Sequence, residues 1–119
     1  MSDTDKPPGK LIPMPAAPKP PKMPPWIRGE GRRFWKQHEA ELVKRGLLDG
    51  FMSLYFALVC SQWRAWREIS DQITRDGLTI PGRSGRPVAH PLLAAQNREL
   101  KMFRLLSRDM GMSPTRRGK

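Results

Sequence analysis

One heptad-like series constrains this chain more than any other feature. Met52, Phe56, Val59, Trp63, Trp66, Ser70 and Ile73 follow one another at alternating intervals of four and three residues. That spacing returns side chains to one stripe of an α-helix and forms a coiled-coil-like seam, broken only by Ser70. It predicts a long helix from about Gly50 to Arg75, with Asp49 as its N-cap. Leu54, Leu58, Ala65 and Ile69 widen the apolar surface beyond the seam. The N-terminal half of the helix is therefore apolar almost all round and has to be covered on several sides. First and third helices, a second subunit, or both together are expected to cover it. Met52, Phe56, Val59, Trp63, Trp66 and Ile73 are accordingly the expected core or oligomer interface.

The rest of the chain offers limited covering material. It has 119 residues and 13 prolines, nine of them within residues 1–25. Proline fixes φ and removes a backbone donor, so 1–25 reads as an extended Pro/Lys-rich tail. Every aromatic residue lies between Trp26 and Phe103. A helical domain is thus expected over 26–111, followed by a basic tail at 112–119.

A first helix is expected within Ile27–Arg45, starting as late as Arg32 because Gly29 and Gly31 weaken its first turns. Phe34, Trp35, Leu42 and Val43 supply its apolar members, and Gly46 its C-terminal stop. After the long helix, Gly77 ends the pattern and Leu78-Thr79-Ile80 alternates as a short strand would. The segment G-R-S-G-R-P-V-A-H-P (82–91) then forms either a basic connecting loop or a small hairpin. Pro91 opens a third helix reaching about Met110, with His90 contacting its N-terminal backbone. Leu92, Leu93, Leu100, Phe103, Leu106 and Met110 share its apolar arc, and Arg98, Lys101, Arg104 and Arg108 an adjacent basic one. Gly111 stops it. The fold class is mainly α: about three helices with a short Gly/Pro-rich loop or β-hairpin before the last.

The formal charge is +11, with 22 Lys and Arg against 11 Asp and Glu. It is unevenly placed: residues 51–76 sum to zero and 91–119 to +5. A polyanion is the natural partner, and nucleic acid the commonest. A single cysteine, Cys60, excludes an internal disulfide and sits among apolar neighbours, as an inert buried thiol does. No signal-like apolar core and no run of 18 apolar residues occurs, so a soluble cytoplasmic protein that binds no membrane is expected.

Catalytic chemistry finds no pattern to rest on. Cys60, His38 and His90 show no ligand spacing, so no metal is expected. G-R-S-G-R-P lacks the lysine-hydroxyl pair of a phosphate-binding loop and runs into Pro87 where a helix would have to start. Glu68 and Asp71 share a solvated face with Arg64, Arg67 and Arg75, and Glu39 and Glu41 fall on different faces. Trp63 and Trp66 lie on the seam, which favours core or interface over base stacking. The chain is not expected to be an enzyme or to hold a cofactor.

The landmarks as a set carry a resemblance. Trp26-Ile27 follows a proline run, and Trp35 comes next, then Gly46-Leu47-Leu48-Asp49. A helix with C-x-x-W-x-x-W (Cys60, Trp63, Trp66) leads to Gly77-Leu78, a glycine-containing turn, His90-Pro91-Leu92-Leu93, and Met110-Gly111-Met112-Ser113-Pro114-Thr115-Arg116. Over residues 24–117 this order resembles the short, proline-headed terminase small subunits of tailed phages or prophages. It departs from them where Gly50-Phe51-Met52 is apolar rather than acidic, and where His90 stands in place of a frequent Asn. The resemblance implies a non-catalytic, ring-shaped homo-oligomer in the host bacterial cytoplasm. Such a subunit engages double-stranded viral DNA and regulates the large ATPase/nuclease subunit during genome packaging.

Residue chemistry supplies the candidate DNA contacts: Arg28, Arg32, Arg33 and Lys36; Arg83 and Arg86; Arg98, Lys101, Arg104 and Arg108; and Arg116, Arg117 and Lys119. Two other classes compete with a DNA clamp. One is an assembly scaffold for the large subunit with little DNA binding of its own. The other is a small helical DNA-binding regulator, disfavoured because Pro91-Leu92-Leu93-Ala94-Ala95 offers no base-reading side chains.

Overall fold

The structure, a computed structural model, describes residues 21–112. Most of the proline-rich tail, and Arg116, Arg117 and Lys119 of the basic tail, lie outside the described residues. Three helices are present: α1 (Gly29–Lys44), α2 (Ser53–Asp76) and α3 (Leu93–Asp109). Between α2 and α3 lies an antiparallel hairpin of β1 (Thr79–Pro81) and β2 (Pro87–Ala89). The fold is mainly helical, and of loop and hairpin the connector before the last helix is the hairpin.

α2 is the central element, with α1 and α3 both packed along it. Its seam is largely consumed inside the chain. Phe56 and Val59 are fully buried, Ile73 is buried, and Met52 and Trp63 pack at the edge of the same core. Phe34 joins the three helices, its ring 5.4 Å from Trp63 and 5.8 Å, edge-on, from Phe103. Trp35 stacks at 4.6 Å on Phe56. Ser70 breaks the seam because it faces a polar partner: Gln96 Nε2 of α3 donates to its hydroxyl at 3.0 Å. Tyr55 to Asp109 at 3.2 Å and Gln62 to Glu99 are two further polar ties between these helices.

Helix boundaries differ from the sequence expectation in three places, each for a local reason. α1 starts at Gly29, which takes φ +56°, and runs straight through Gly31. Gly31 sits where α1 crosses α2, and a Cβ there would come within 2.9 Å of the Cys60 carbonyl oxygen. Its cost in helix propensity is offset by a close helix–helix approach. α2 starts at Ser53, not Gly50. The Asp49 carboxylate does accept a backbone bond, from Met52 N at 2.9 Å, but it caps the turn that precedes the helix. α3 becomes regular at Leu93 instead of Pro91, after a turn in which Leu93 N donates to His90 O at 3.1 Å.

Two helix ends close in the same way. After α1, Gly46 N bonds to Val43 O and Leu47 N to Leu42 O; after α3, Gly111 N bonds to Arg108 O and Met112 N to Ser107 O. Both are Schellman motifs with the glycine in the left-handed region.

Candidate nucleic-acid interface

The basic residues of α3 are placed by its amphipathic register. Phe103 and Leu106 pack toward the core and Met110 is buried, which turns Arg98, Lys101, Arg104 and Arg108 outward. All four are exposed. Among the described residues none of them forms an ion pair. Four cations spread over three helical turns span roughly 15 Å, at 1.5 Å per residue, within reach of several consecutive phosphates. Leu105, itself partly exposed, lies between Lys101 and Arg108 on the same outward arc.

α1 carries a second basic row. Arg28, Arg32 and Lys36 are exposed and follow at four-residue intervals. Arg33 is exposed as well, but it is tied to Glu30 at 3.3 Å in the first turn. Arg28 is the N-cap position, extended at φ −133° and ψ 164°, and its side chain makes no cap bond.

Arg83 and Arg86 are exposed around the hairpin turn. Gly85 N donates to Gly82 O at 3.0 Å and Gly82 N to Arg86 O at 2.7 Å, with Gly85 at φ +83°. This is a tight turn closed by a glycine bulge. Gly82 is required by space as well, because a Cβ there would lie 2.8 Å from Val88 and 2.9 Å from the Arg86 carbonyl. The segment is thus an ordered basic tip and contains no cradle of backbone donors for a phosphate.

α2 contributes no net charge to these surfaces. Two of its three arginines are paired on the helix itself, Arg64 with Glu68 at 2.7 Å and Arg67 with Asp71 at 3.9 Å, while Arg75 donates to the Gln72 side-chain oxygen. Trp63 and Trp66 stack on each other at 5.4 Å, with Trp63 also 5.5 Å from Phe103. No three potential metal ligands cluster among the described residues. Cys60 is buried, and burial pushes its thiol up to about 12, so no thiolate is available near neutral pH. His38 lies against Phe34 at 4.3 Å, and burial lowers its pKa, which keeps the ring neutral.

The basic surface and the core were both marked by residue type and spacing. The link between His90 and Asp76 was not. His90 is buried, its Nδ1 accepts from Leu92 N at 3.0 Å, and its Nε2 lies 2.8 Å from Asp76 Oδ2. With Nδ1 accepting, the proton sits on Nε2 and is donated to the carboxylate. The Gln72 amide and then His90 hold the Asp76 carboxyl below the usual carboxylate range. Only the polar residue before Pro91 hinted at this arrangement, and it says nothing about a partner 14 residues upstream.

Comparison with protein families matches residues 31–119 to the phage terminase small subunit. The chain belongs to the phage terminase small-subunit family. No curated protein and no solved structure matches it. Within this terminase small subunit, the matched region takes in all but the first two residues of α1, together with α2, the hairpin and α3. No helix among its described residues is long and apolar enough to cross a membrane.

Proposed function

We propose that this terminase small subunit is a non-catalytic DNA-engaging component of a genome-packaging motor, working in the cytoplasm of the host bacterium. It binds double-stranded DNA through phosphates and regulates the large ATPase/nuclease subunit. The observation that carries the reading is the row Arg98, Lys101, Arg104 and Arg108, exposed and without ion pairs among the described residues, in a chain of this family. Arg28, Arg32, Arg33 and Lys36, the hairpin-tip Arg83 and Arg86, and the tail residues Arg116, Arg117 and Lys119 are the remaining proposed contacts. Lysines and arginines without fixed partners neutralise phosphate by displacing counterions, and they do so with little regard to sequence.

Several copies acting together, arranged as a ring, multiply a small footprint. A second engaged subunit binds at high effective concentration, so modest single-copy affinity suffices. The test is duplex binding across a salt series. Affinity should fall steeply between about 50 and 200 mM salt, by orders of magnitude if six or more phosphates are contacted. A flat salt response would remove the DNA-clamp reading. The scaffold reading, in which the subunit serves mainly to recruit the large subunit, draws on the exposed apolar residues of α2. Packaging activity that survives replacement of all four α3 cations by glutamine would favour it.

A further inference from the structure

A cavity of about 210 Å³ opens beside the point where α1 crosses α2. Small residues leave the space: Gly31 of α1 and Ser61 and Ala65 of α2 line it. About 150 Å³ is enough to hold a benzene ring, so one aromatic base fits. Trp26 forms part of the wall and is 51% exposed. A tight turn fixes it there: Ile27 N donates to Pro24 O at 3.2 Å, Pro25 takes the second position, and Ile27 itself is buried. Proline pre-sets the φ angle of such a turn, so the indole is held at the rim before any ligand arrives.

Two guanidinium groups meet at this cavity. Arg28 lines it, makes no cap bond and forms no ion pair among the described residues. Arg64 reaches across from α2, since a Cβ on Gly29 would lie 3.7 Å from its Nε. That Nε donates to Glu68 Oε2 at 2.7 Å, which leaves both Arg64 Nη nitrogens without a partner among the described residues. Glu68, the carboxylate in the lining, is thereby balanced, and the charge of Arg28 is left over. Guanidinium forks match phosphate oxygens, and the leftover charge attracts an anion.

Cations alone would suit any anion, a carboxylate included. The exposed indole narrows the class, because its face offers stacking to a flat ring and nothing comparable to an acidic side chain. A flat ring joined to an anion is the chemistry of a nucleotide. In duplex DNA the base faces are covered by their neighbours and only edges show in the grooves. The ring that reaches Trp26 therefore belongs to an unpaired nucleotide. Arg32 and Lys36 continue from Arg28 at four-residue intervals along exposed α1, where the phosphates of an adjoining strand would pass.

We propose that this cavity binds one unpaired nucleotide, its base on the Trp26 indole and its phosphate between Arg28 and Arg64. The site goes beyond duplex binding, which uses phosphates alone, and it does not depend on the α3 row. A free nucleotide and an unpaired nucleotide within a strand share this chemistry.

Calorimetric titration of the full chain compares deoxyadenosine monophosphate, inorganic phosphate, a short deoxyadenosine strand, a blunt duplex and a glutamate-rich peptide. The mononucleotide should bind about tenfold more tightly than inorganic phosphate, the scale of one stacked base. Mononucleotide affinity equal to that of the strand identifies a free nucleotide as the source, and preference for the strand identifies unpaired nucleic acid; both support the site. Trp26→Ala should weaken strand binding about tenfold without changing its salt slope, and Trp26→Phe should restore most of the loss. Arg28→Gln should instead lower the slope by about 0.7, the share of one phosphate on a single strand. Ala65→Leu, which fills the cavity and keeps both arginines, should also weaken strand binding, with circular dichroism checking that each variant remains helical. Blunt-duplex binding should not respond to Trp26→Ala.

Strand binding indifferent to both Trp26→Ala and Ala65→Leu overturns the site, and so does inorganic phosphate bound as tightly as the mononucleotide. A glutamate-rich peptide that displaces the strand, and is itself weakened by Trp26→Ala, assigns the cavity to an acidic protein segment and also overturns the proposal. Duplex binding without strand or mononucleotide binding overturns this site and leaves the duplex reading standing. Binding of none of the nucleic acids overturns both.

Discussion

His90 Nε2 and Asp76 Oδ2 are 2.8 Å apart, and through them the last residue of α2 is tied to the turn that opens α3. The same imidazole accepts Leu92 N–H through Nδ1. One buried side chain therefore closes the hairpin at its base and fixes where the basic helix begins. Backbone pairing reinforces it, His90 N donating to Leu78 O at 2.8 Å.

His90→Ala should therefore be costly. It strands Leu92 N–H and removes a buried ring that donates to Asp76, a loss of about 2–3 kcal/mol. His90→Asn keeps a cap oxygen for Leu92 but falls short of Asp76. It should cost about half as much. Urea denaturation of the two variants beside wild type measures the split, and equal losses would mean the capping bond contributes nothing.

The Asp76 contact makes stability depend on pH in one direction. Its carboxyl is lowered in the folded chain, so the charged form favours folding. That contribution is complete above the usual carboxylate range, near pH 4, and is lost as pH falls through the lowered value. Wild type and Asp76→Asn should differ in urea midpoint near neutral pH and converge in acid. A gap that stays constant down to about pH 2 would contradict the assignment.

Gly31→Ala should destabilise despite improving helix propensity. Alanine gains at most about 1 kcal/mol in an exposed helix interior. Its Cβ would meet the Cys60 carbonyl oxygen at 2.9 Å, a backbone atom that cannot swing away. Overpacking at such a crossing costs about 1–3 kcal/mol and should win. Thermal melting decides the sign, and a raised midpoint would show that α1 and α2 can separate freely.

The two groups of cations should differ in salt response. Replacing Arg98, Lys101, Arg104 and Arg108 by glutamine should lower the slope of log affinity against log salt by roughly 0.9 for each phosphate no longer neutralised. Arg83 and Arg86 sit on one narrow tip, so their joint replacement should lower it by no more than about two units. A larger effect from the tip than from α3 would move the DNA path to the hairpin.

Much of the molecule was legible from the chain alone because helical periodicity is a local property. The seam from Met52 to Ile73 specified α2, the glycines 46, 77 and 111 the ends of the three helices, and the alternation of Phe103 and Leu106 with Arg104 and Arg108 the amphipathic face of α3. Boundaries were legible only to within a few residues, since they depend on caps whose partners lie outside the helix. Asp49 shows this, capping a turn just before α2 begins.

What the sequence determined by itself was therefore the set of helices, the uneven charge and the family. Each follows from spacing and residue type along the chain. Tertiary structure decided which apolar face of α2 was spent internally. Two rows run along that helix, and spacing ranks them nearly alike. Phe34, Trp35 and Phe103 close over Phe56, Val59 and Trp63, and nothing among the described residues covers Phe51, Leu54 and Leu58 to the same degree. The pairing of Asp76 with His90 and the fit of Gly31 against Cys60 belong to the same class. They join segments by distance in space, which a one-dimensional pattern does not encode.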